Sequence, residues 1–110
     1  MAKTSDVVLT VPLSDWDEFR KDHRYNPYVQ CATIKVYVGT DIVNVKWDFV
    51  KWFTKDKYID EIMDFFNERS YLITTLNEDN SVYQEDHVQD DEDLSEFWDY
   101  APQVKLITEF

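Results

Sequence analysis

Hydrophobic and polar residues alternate with a period of two along several stretches of this chain, a pattern typical of half-buried β-strands. The stretches are residues 6–13, 28–38, 42–53, 71–76, 81–84 and 104–110. Gly39, the only glycine, lies between the second and third of them. Because glycine readily adopts positive φ, Gly39-Thr40-Asp41 predicts a tight hairpin turn.

The third stretch, residues 42–53, keeps its alternation only in its first part. Val43, Val45, Trp47 and Phe49 share one side of the predicted strand, which we expect to face the core. Beyond Phe49 the alternation breaks, and this break predicts a β-bulge that turns Trp52 to a different surface.

Three other stretches have helical spacing. Residues 54–69 carry a broad apolar stripe formed by Tyr58, Ile59, Ile62, Met63, Phe65 and Phe66. A shorter helix is predicted to begin after an N-cap at Ser14. Its first turn is acidic and its last turn is basic, as the helix dipole favours, and Pro27 closes the segment. Leu94, Phe97 and Trp98, at offsets of three and four, predict a third, short helix that ends before Pro102.

The predicted order of elements is β-α-β-β-α-β-(β)-α-β, which indicates an α+β fold. We expect an antiparallel or mixed sheet of about five strands with helices on one face. The 110 residues fit one acidic domain that covers residues 1–110. With 44% hydrophobic residues, the chain is far from the composition that keeps acidic proteins disordered.

Charge is distributed unevenly along the chain, whose net charge is −12. Residues 77–110 hold eleven carboxylates and one base, Lys105, so most of the negative charge lies in less than a third of the sequence. Such a field repels nucleic acid and anionic membranes and attracts cations. The predicted partner is therefore a basic protein surface, such as that of a nucleic-acid-binding enzyme or defence complex.

Two groups of residues are the candidate partner-binding site. In the acidic tail, carboxylates alternate with aromatic side chains that can anchor an interface: Glu85, Asp86, Asp90, Asp91, Glu92, Asp93, Glu96, Trp98, Asp99 and Tyr100. On the second predicted helix, Asp60, Asp64 and Glu68 recur every fourth residue, about 6 Å apart along the axis. This interval is close to that between phosphates on one nucleic-acid strand, so the carboxylates can occupy a groove built for DNA. The two groups form one site only if the fold brings them onto the same face.

The sequence gives weaker support for a metal site, a catalytic site or a nucleic-acid-binding surface. The oxygen-rich stretches at Asp86-His87 and residues 90–93 lack the spacing of a calcium loop, so no metal is predicted. Neither His23, at a predicted helix end, nor His87, in a predicted exposed loop, has a nucleophile in a recognisable motif, and no catalytic or cofactor site is predicted. A basic and aromatic patch (Lys46, Lys51, Lys55 and Lys57 with Trp47 and Trp52) resembles a base-stacking surface, but the net charge argues against nucleic acid as a ligand.

The lone Cys31 lies in an apolar-rich stretch and is expected to be reduced and buried. With no long apolar run and no signal-peptide pattern, the predicted location is the cytoplasm. An unpaired hairpin edge with an exposed tryptophan is compatible with a dimer, and the oligomeric state is otherwise left open.

Small size, acidity, aromatic richness and absence of motifs are together similar to phage-encoded anti-defence inhibitors, among them anti-restriction and anti-CRISPR proteins. This resemblance is one of composition, and it assigns no residue a role. It implies a DNA-mimic inhibitor, not an enzyme, that occludes a basic nucleic-acid-binding site in the host cytoplasm. The alternative is an immunity protein or antitoxin that neutralises a basic toxin or nuclease, since both classes present acid to a basic partner.

Overall fold

The computed structural model describes residues 4–52, 55–87 and 95–101. These residues form five strands and four helices, in the order β1 (Ser5–Pro12), α1 (Leu13–Asp22), α2 (Pro27–Cys31), β2 (Thr33–Val36), β3 (Ile42–Val50), α3 (Lys57–Asn67), β4 (Tyr71–Asn77), β5 (Val82–His87) and α4 (Ser95–Asp99). The predictions for residues 88–93 and for a strand at 104–110 lie outside the described residues.

The strands form one antiparallel sheet in the order β2-β3-β1-β4-β5. This arrangement confirms the predicted α+β class and the predicted number of strands. β3 and β4 both run antiparallel to the central strand β1, so the connection through α3 crosses over β1. The hairpin between β2 and β3 is confirmed, and Gly39 has the expected positive φ, 84°.

One side of the sheet packs against α1, α2 and α3. Alternate residues of the three central strands face this side, among them Leu9, Val45 and Ile73, and α1 and α3 cover them with Trp16, Phe19, Ile62 and Phe66. Trp47 lies in the middle of this core, within 6.2 Å of the Trp16 ring and 5.4 Å of the Trp52 ring. Burial of this much aromatic surface is the main source of stability for a domain of this size.

The opposite side of the sheet carries α4, so the expectation that all helices share one face is wrong. Phe97 of α4 packs on Ile42 and Leu72, whose neighbours in sequence face the larger core. Asn44 lies beneath α4 and is 1% exposed. Its Oδ1 accepts a hydrogen bond from Thr10 Oγ1 at 2.7 Å, and its Nδ2 donates to the backbone oxygen of Tyr100 at 3.2 Å, so both ends of the buried amide are satisfied.

Residues 28–38 are not one strand. Pro27 begins α2 instead of closing α1, because the Asn26 side chain caps the new helix and proline is well tolerated in a first turn. Asn26 Oδ1 accepts from the Tyr28 amide at 2.9 Å. The strand is reduced to Thr33–Val36, and Cys31, at the end of α2, is exposed and not buried.

Smaller differences occur at the ends of other elements. Ser14 is not an N-cap: the N-cap of α1 is Pro12, two residues earlier, and the Ser14 hydroxyl donates to Asp41 at 3.3 Å. α3 is shorter than residues 54–69 because Asp56 caps it, accepting from the Tyr58 amide at 2.8 Å. β5 extends to His87, which was expected in a loop. The short helix at α4 is confirmed.

Three tyrosines that are buried or partly buried are expected to limit stability at alkaline pH. Burial raises the pKa of Tyr28, Tyr37 and Tyr71 above the ordinary value of about 10. The folded state therefore holds these protons more tightly, and their contribution is complete below pH about 10 and lost as the pH rises through the folded pKa values. Urea unfolding at stepped pH should show this decline, and Tyr71→Phe should make it shallower. An unchanged midpoint above pH about 10 would contradict the prediction.

Candidate acidic interaction surface

The helix α3 presents a row of three exposed carboxylates. Asp60 and Asp64 lie on α3, and Glu68 is its C-cap residue. The opposite side of the helix buries Ile59 and Ile62 against the sheet. Because one side is fixed in the core, the carboxylates are held at intervals of about one helical turn on a rigid element. We call Asp60, Asp64 and Glu68 the α3 ladder.

The carboxylates of the α3 ladder have no ion pair or side-chain hydrogen bond within the described parts of the chain. Acids on neighbouring α1 differ in this respect. Arg69 binds Asp15 at 2.9 Å and Glu18 at 3.2 Å, and Arg20 binds Asp17 at 3.1 Å. These two arginines thus pair with three acids of α1, whereas no described base pairs with the α3 ladder.

Only part of the predicted tail site is described. Glu85 and Asp86 lie on the edge strand β5, both exposed. Trp98, 42% exposed, and Asp99 lie on α4. Tyr100, expected as an anchor, is partly buried, with its ring 4.6 Å from that of Tyr37. Asp90, Asp91, Glu92 and Asp93, and the side chain of Glu96, lie outside the described residues.

The α3 ladder and α4 lie on opposite sides of the sheet. α3 belongs to the large core on one side, whereas α4 packs on Leu72 and Ile42 on the other. Within β5, Glu85 is opposite Ile73 on the α3 side, and Asp86 is opposite Leu72 on the α4 side. The described tail residues on α4 therefore do not continue the α3 ladder into one strip.

The basic and aromatic patch seen in the sequence is not a base-stacking surface. Trp47 and Trp52 stack on each other inside the core, and Trp52 is only 8% exposed. Lys46 is buried on the other side of the sheet and pairs with Asp48 at 3.2 Å. The patch therefore lacks the exposed ring that base stacking requires.

A β-bulge near the end of β3 creates a feature that the sequence did not reveal. Val7 is opposite Trp47 and Ser5 is opposite Val50, so two steps on β1 correspond to three on β3. A bulge is thus confirmed, but it lies before Val50, and the expectation that it turns Trp52 to a different surface is wrong, because Trp52 stays in the core beside Trp47. Phe49 has φ 54° and is 80% exposed, so its expected place on the core side is wrong. The extra residue breaks the alternation, and Asp6 Oδ1 accepts the Phe49 amide at 3.1 Å.

A shallow pocket of about 180 Å³ lies beside the bulge. Its lining consists of Thr4, Ser5, Asp6, Phe49, Leu76, Asn77, Glu78 and Asn80. Asn80 is in the turn between β4 and β5 and also has positive φ, 67°. The interrupted alternation after Phe49 was the only signal in the sequence for this site, and it gave no indication that Glu78 lies nearby.

Both histidines contact other residues of the fold. His23 is the C-cap of α1, as expected: its Nδ1 lies 3.0 Å from the backbone oxygen of Phe19. His87 is not in an exposed loop; its ring stacks on Tyr71 at 5.4 Å, and its Nε2 is buried and forms no hydrogen bond with any described residue. Among the described residues no three His, Cys, Asp or Glu side chains are placed to hold a metal ion.

Comparison with protein-family models, with curated proteins and with solved structures gives no match for this chain. In the part of the chain that the structure describes, no helix has the length and apolar character needed to cross a membrane.

Substitution of Phe49 by glycine is expected to stabilise the fold relative to Phe49→Ala. A left-handed conformation costs a residue with a Cβ about 1–2 kcal/mol, and glycine avoids this cost. After allowance for the greater entropy of glycine in the unfolded chain, we expect a gain of about 1 kcal/mol in the free energy of unfolding. Urea unfolding of the two variants measures it directly. A less stable Phe49→Gly variant would mean that the bulge is not strained.

Proposed function

We propose that this chain is a small acidic inhibitor, not an enzyme, that binds and occludes the basic nucleic-acid-binding site of a partner protein. It would act as a DNA mimic, as a phage-encoded anti-restriction or anti-CRISPR protein does. The observation that carries the proposal is the α3 ladder. Its three exposed carboxylates repeat at about one helical turn on a fixed helix, and no described cation neutralises them.

The mechanism is competition for the lysine and arginine side chains that line a nucleic-acid site. Such side chains are spaced to meet phosphates, so a rigid row of carboxylates at a similar interval can pair with them in place of a strand. Complementary charge speeds association and makes affinity sensitive to salt. The setting proposed for this function is the cytoplasm, a compartment in which the exposed, unpaired Cys31 stays reduced.

The decisive experiment asks whether nucleic acid and this protein compete for one site. The protein is immobilised, bacterial lysate is passed over it at low salt, and bound proteins are eluted with an excess of short duplex DNA or RNA. We expect the captured proteins to bind nucleic acid, to be released by the duplex, and to bind less as salt rises from about 0.05 to about 0.5 M.

A matched pair of neutral variants controls for net charge. Asp60→Asn with Asp64→Asn and Glu68→Gln removes the ladder, and Asp17→Asn with Asp22→Asn and Asp41→Asn removes three exposed acids elsewhere. Only the first variant should lose capture. Retention of the partner in excess duplex would overturn the proposal and favour an immunity protein that binds beside an active site.

A further inference from the structure

The described sheet ends on one side at β2, a short edge strand with apolar side chains in solvent. All four residues of β2, Thr33–Val36, are exposed. Ile34 is 42% and Val36 46% exposed. Both lie on the helix side of the sheet, because they are opposite Val45 and Val43 of the large core. Two β-branched apolar side chains thus lie along an open edge, a feature that invites pairing with another strand.

The backbone of β2 directs hydrogen-bonding groups away from the sheet. The Tyr37 amide donates to the backbone oxygen of Ile42, the residue directly opposite, at 3.2 Å, so these two form a hydrogen-bonded pair of the hairpin. Hydrogen-bonded pairs alternate with non-hydrogen-bonded pairs along an antiparallel ladder. Lys35 therefore bonds β3, whereas the N–H and C=O groups of Ile34 and Val36 point outward, where an added strand can bind them.

The strand β2 lies in the longest stretch of the chain without carboxylates. Residues 23–40 contain no Asp or Glu, although the chain has 23 of them. Residues 43–46, the part of β3 that pairs with β2, contain none either. The edge strand β5, in contrast, carries Glu85 and Asp86. Of these two edges, β2 is therefore the one at which two copies of a chain with net charge −12 repel each other less.

We propose that β2 pairs with β2 of a second copy of this chain, antiparallel and across a two-fold axis at Ile34. An axis at Lys35 would place two lysines opposite each other, whereas the axis at Ile34 places Lys35 opposite the partner's Thr33. The polar residues then pair on one face and the apolar residues on the other, so the segment matches itself. This self-match favours a second copy over an unrelated strand.

The dimer joins two five-stranded sheets into one continuous sheet. Because residues opposite each other on paired strands share a face, the helix side of one copy continues into the helix side of the other. The α3 helices of both copies, which pack on that side, therefore lie on the same face of the dimer.

This inference does not depend on the function proposed for the α3 ladder, and salt separates the two. Screening weakens the attraction between the α3 ladder and a basic partner, but it also weakens the repulsion between two acidic chains. Rising salt should therefore reduce capture of a basic partner and strengthen the dimer. Either proposal can fail while the other holds.

The test is sedimentation velocity of the purified protein at two salt concentrations. Because a short interface is weak, the protein concentration is raised to about 1 mM. We expect a dimer whose association constant increases at least about ten-fold as salt rises from about 0.05 to about 0.5 M. A monomer under all these conditions would overturn the proposal, as would a dimer that dissociates as salt rises.

Two proline variants identify the edge that pairs. Val36→Pro removes an outward N–H and no bond to β3, a position at which edge strands tolerate proline. Val82→Pro is the matched control on β5: Val82 is 43% exposed, and its N–H also points outward, because the adjacent opposite pair Asn77 and Ser81 is hydrogen-bonded. We expect only Val36→Pro to weaken the dimer, by at least about ten-fold, since it removes a ladder bond and obstructs the edge.

Equal weakening by the two proline variants, or unchanged association of Val36→Pro, would reject β2 as the interface. If the circular dichroism spectrum shows that Val36→Pro is unfolded, Ile34→Lys provides the decision, because it places two lysines at the axis. Unchanged association of that variant refutes the proposal.

The native Cys31 can report the geometry of the dimer. It is exposed and lies just before β2. Spin labels on Cys31 of both copies should give one intermolecular distance of about 15–30 Å, because each label lies a few residues from the axis on strands that rise about 3.3 Å per residue. The absence of such a distance at concentrations at which the protein sediments as a dimer would overturn the pairing of β2.

Discussion

Replacement of Trp47 by alanine is expected to lower the free energy of unfolding by about 3–5 kcal/mol. Trp47 is 1% exposed, and its ring lies within 6.3 Å of the rings of Trp16, Tyr28 and Trp52. Its Nε1 donates to the Tyr28 backbone oxygen at 2.7 Å, so the substitution also removes a donor from a partly buried carbonyl. A domain of this size is stabilised by only about 5–15 kcal/mol in total, so the loss is a large share.

The matched control for Trp47→Ala is Phe49→Ala, which truncates another large aromatic residue of the same strand. Because Phe49 is 80% exposed, its loss should change the free energy of unfolding by less than about 0.5 kcal/mol. Urea unfolding followed by far-ultraviolet circular dichroism measures both. Equal losses for the two variants would contradict the placement of the bulge, since they would mean that both rings are buried.

Charge reversal on the α3 ladder is expected to reduce affinity for a duplex-eluted partner at least about a hundred-fold. Like charges brought together in an interface cost several kcal/mol, and each 1.4 kcal/mol, roughly, is a factor of ten. Asp64→Lys with Glu68→Lys is the appropriate pair, because both residues lie toward the C-terminal end of α3, where the helix dipole favours cations. The fold should therefore be retained, and the circular dichroism spectrum checks this.

The opposite side of the sheet supplies the control for the ladder reversal. Asp86→Lys with Asp99→Lys changes the net charge by the same amount, but these residues lie on the α4 side. Calorimetric titration of the partner should show a large loss for the first pair only. Equal losses of affinity for the two pairs would indicate that the partner responds to the overall electric field of the molecule. A loss of affinity only for the Asp86 and Asp99 pair would assign the interface to the acidic tail and reject the α3 ladder.

Local patterns in the sequence were sufficient to predict most of the helices and strands. The apolar stripe on α3 placed Ile59 and Ile62 in the core, and the same periodicity placed Asp60 and Asp64 outside. The β2–β3 hairpin followed from alternation around Gly39. These predictions succeeded because periodicity and glycine conformation depend on residues within a few positions of each other.

The errors have local causes too. Alternating apolar residues favoured a strand from residue 28, but Asn26-Pro27 is a cap followed by a first-turn proline, which begins α2. Cys31 is the last residue of that short helix and is exposed. The alternation and the capping pattern therefore predict different structures for the same residues, and the structure follows the capping pattern.

The sequence alone determined the charge of this protein, its α+β class and the exposure of the α3 ladder, since these follow from composition, from the order of the predicted elements and from the period of one helix. Only the tertiary structure decided that the α3 ladder and α4 lie on opposite sides of the sheet, and that the bulge turns Phe49 outward beside Asp6 and Glu78. These features depend on strand register between residues more than 40 positions apart, such as Asp6 and Phe49, and no local pattern carries that information.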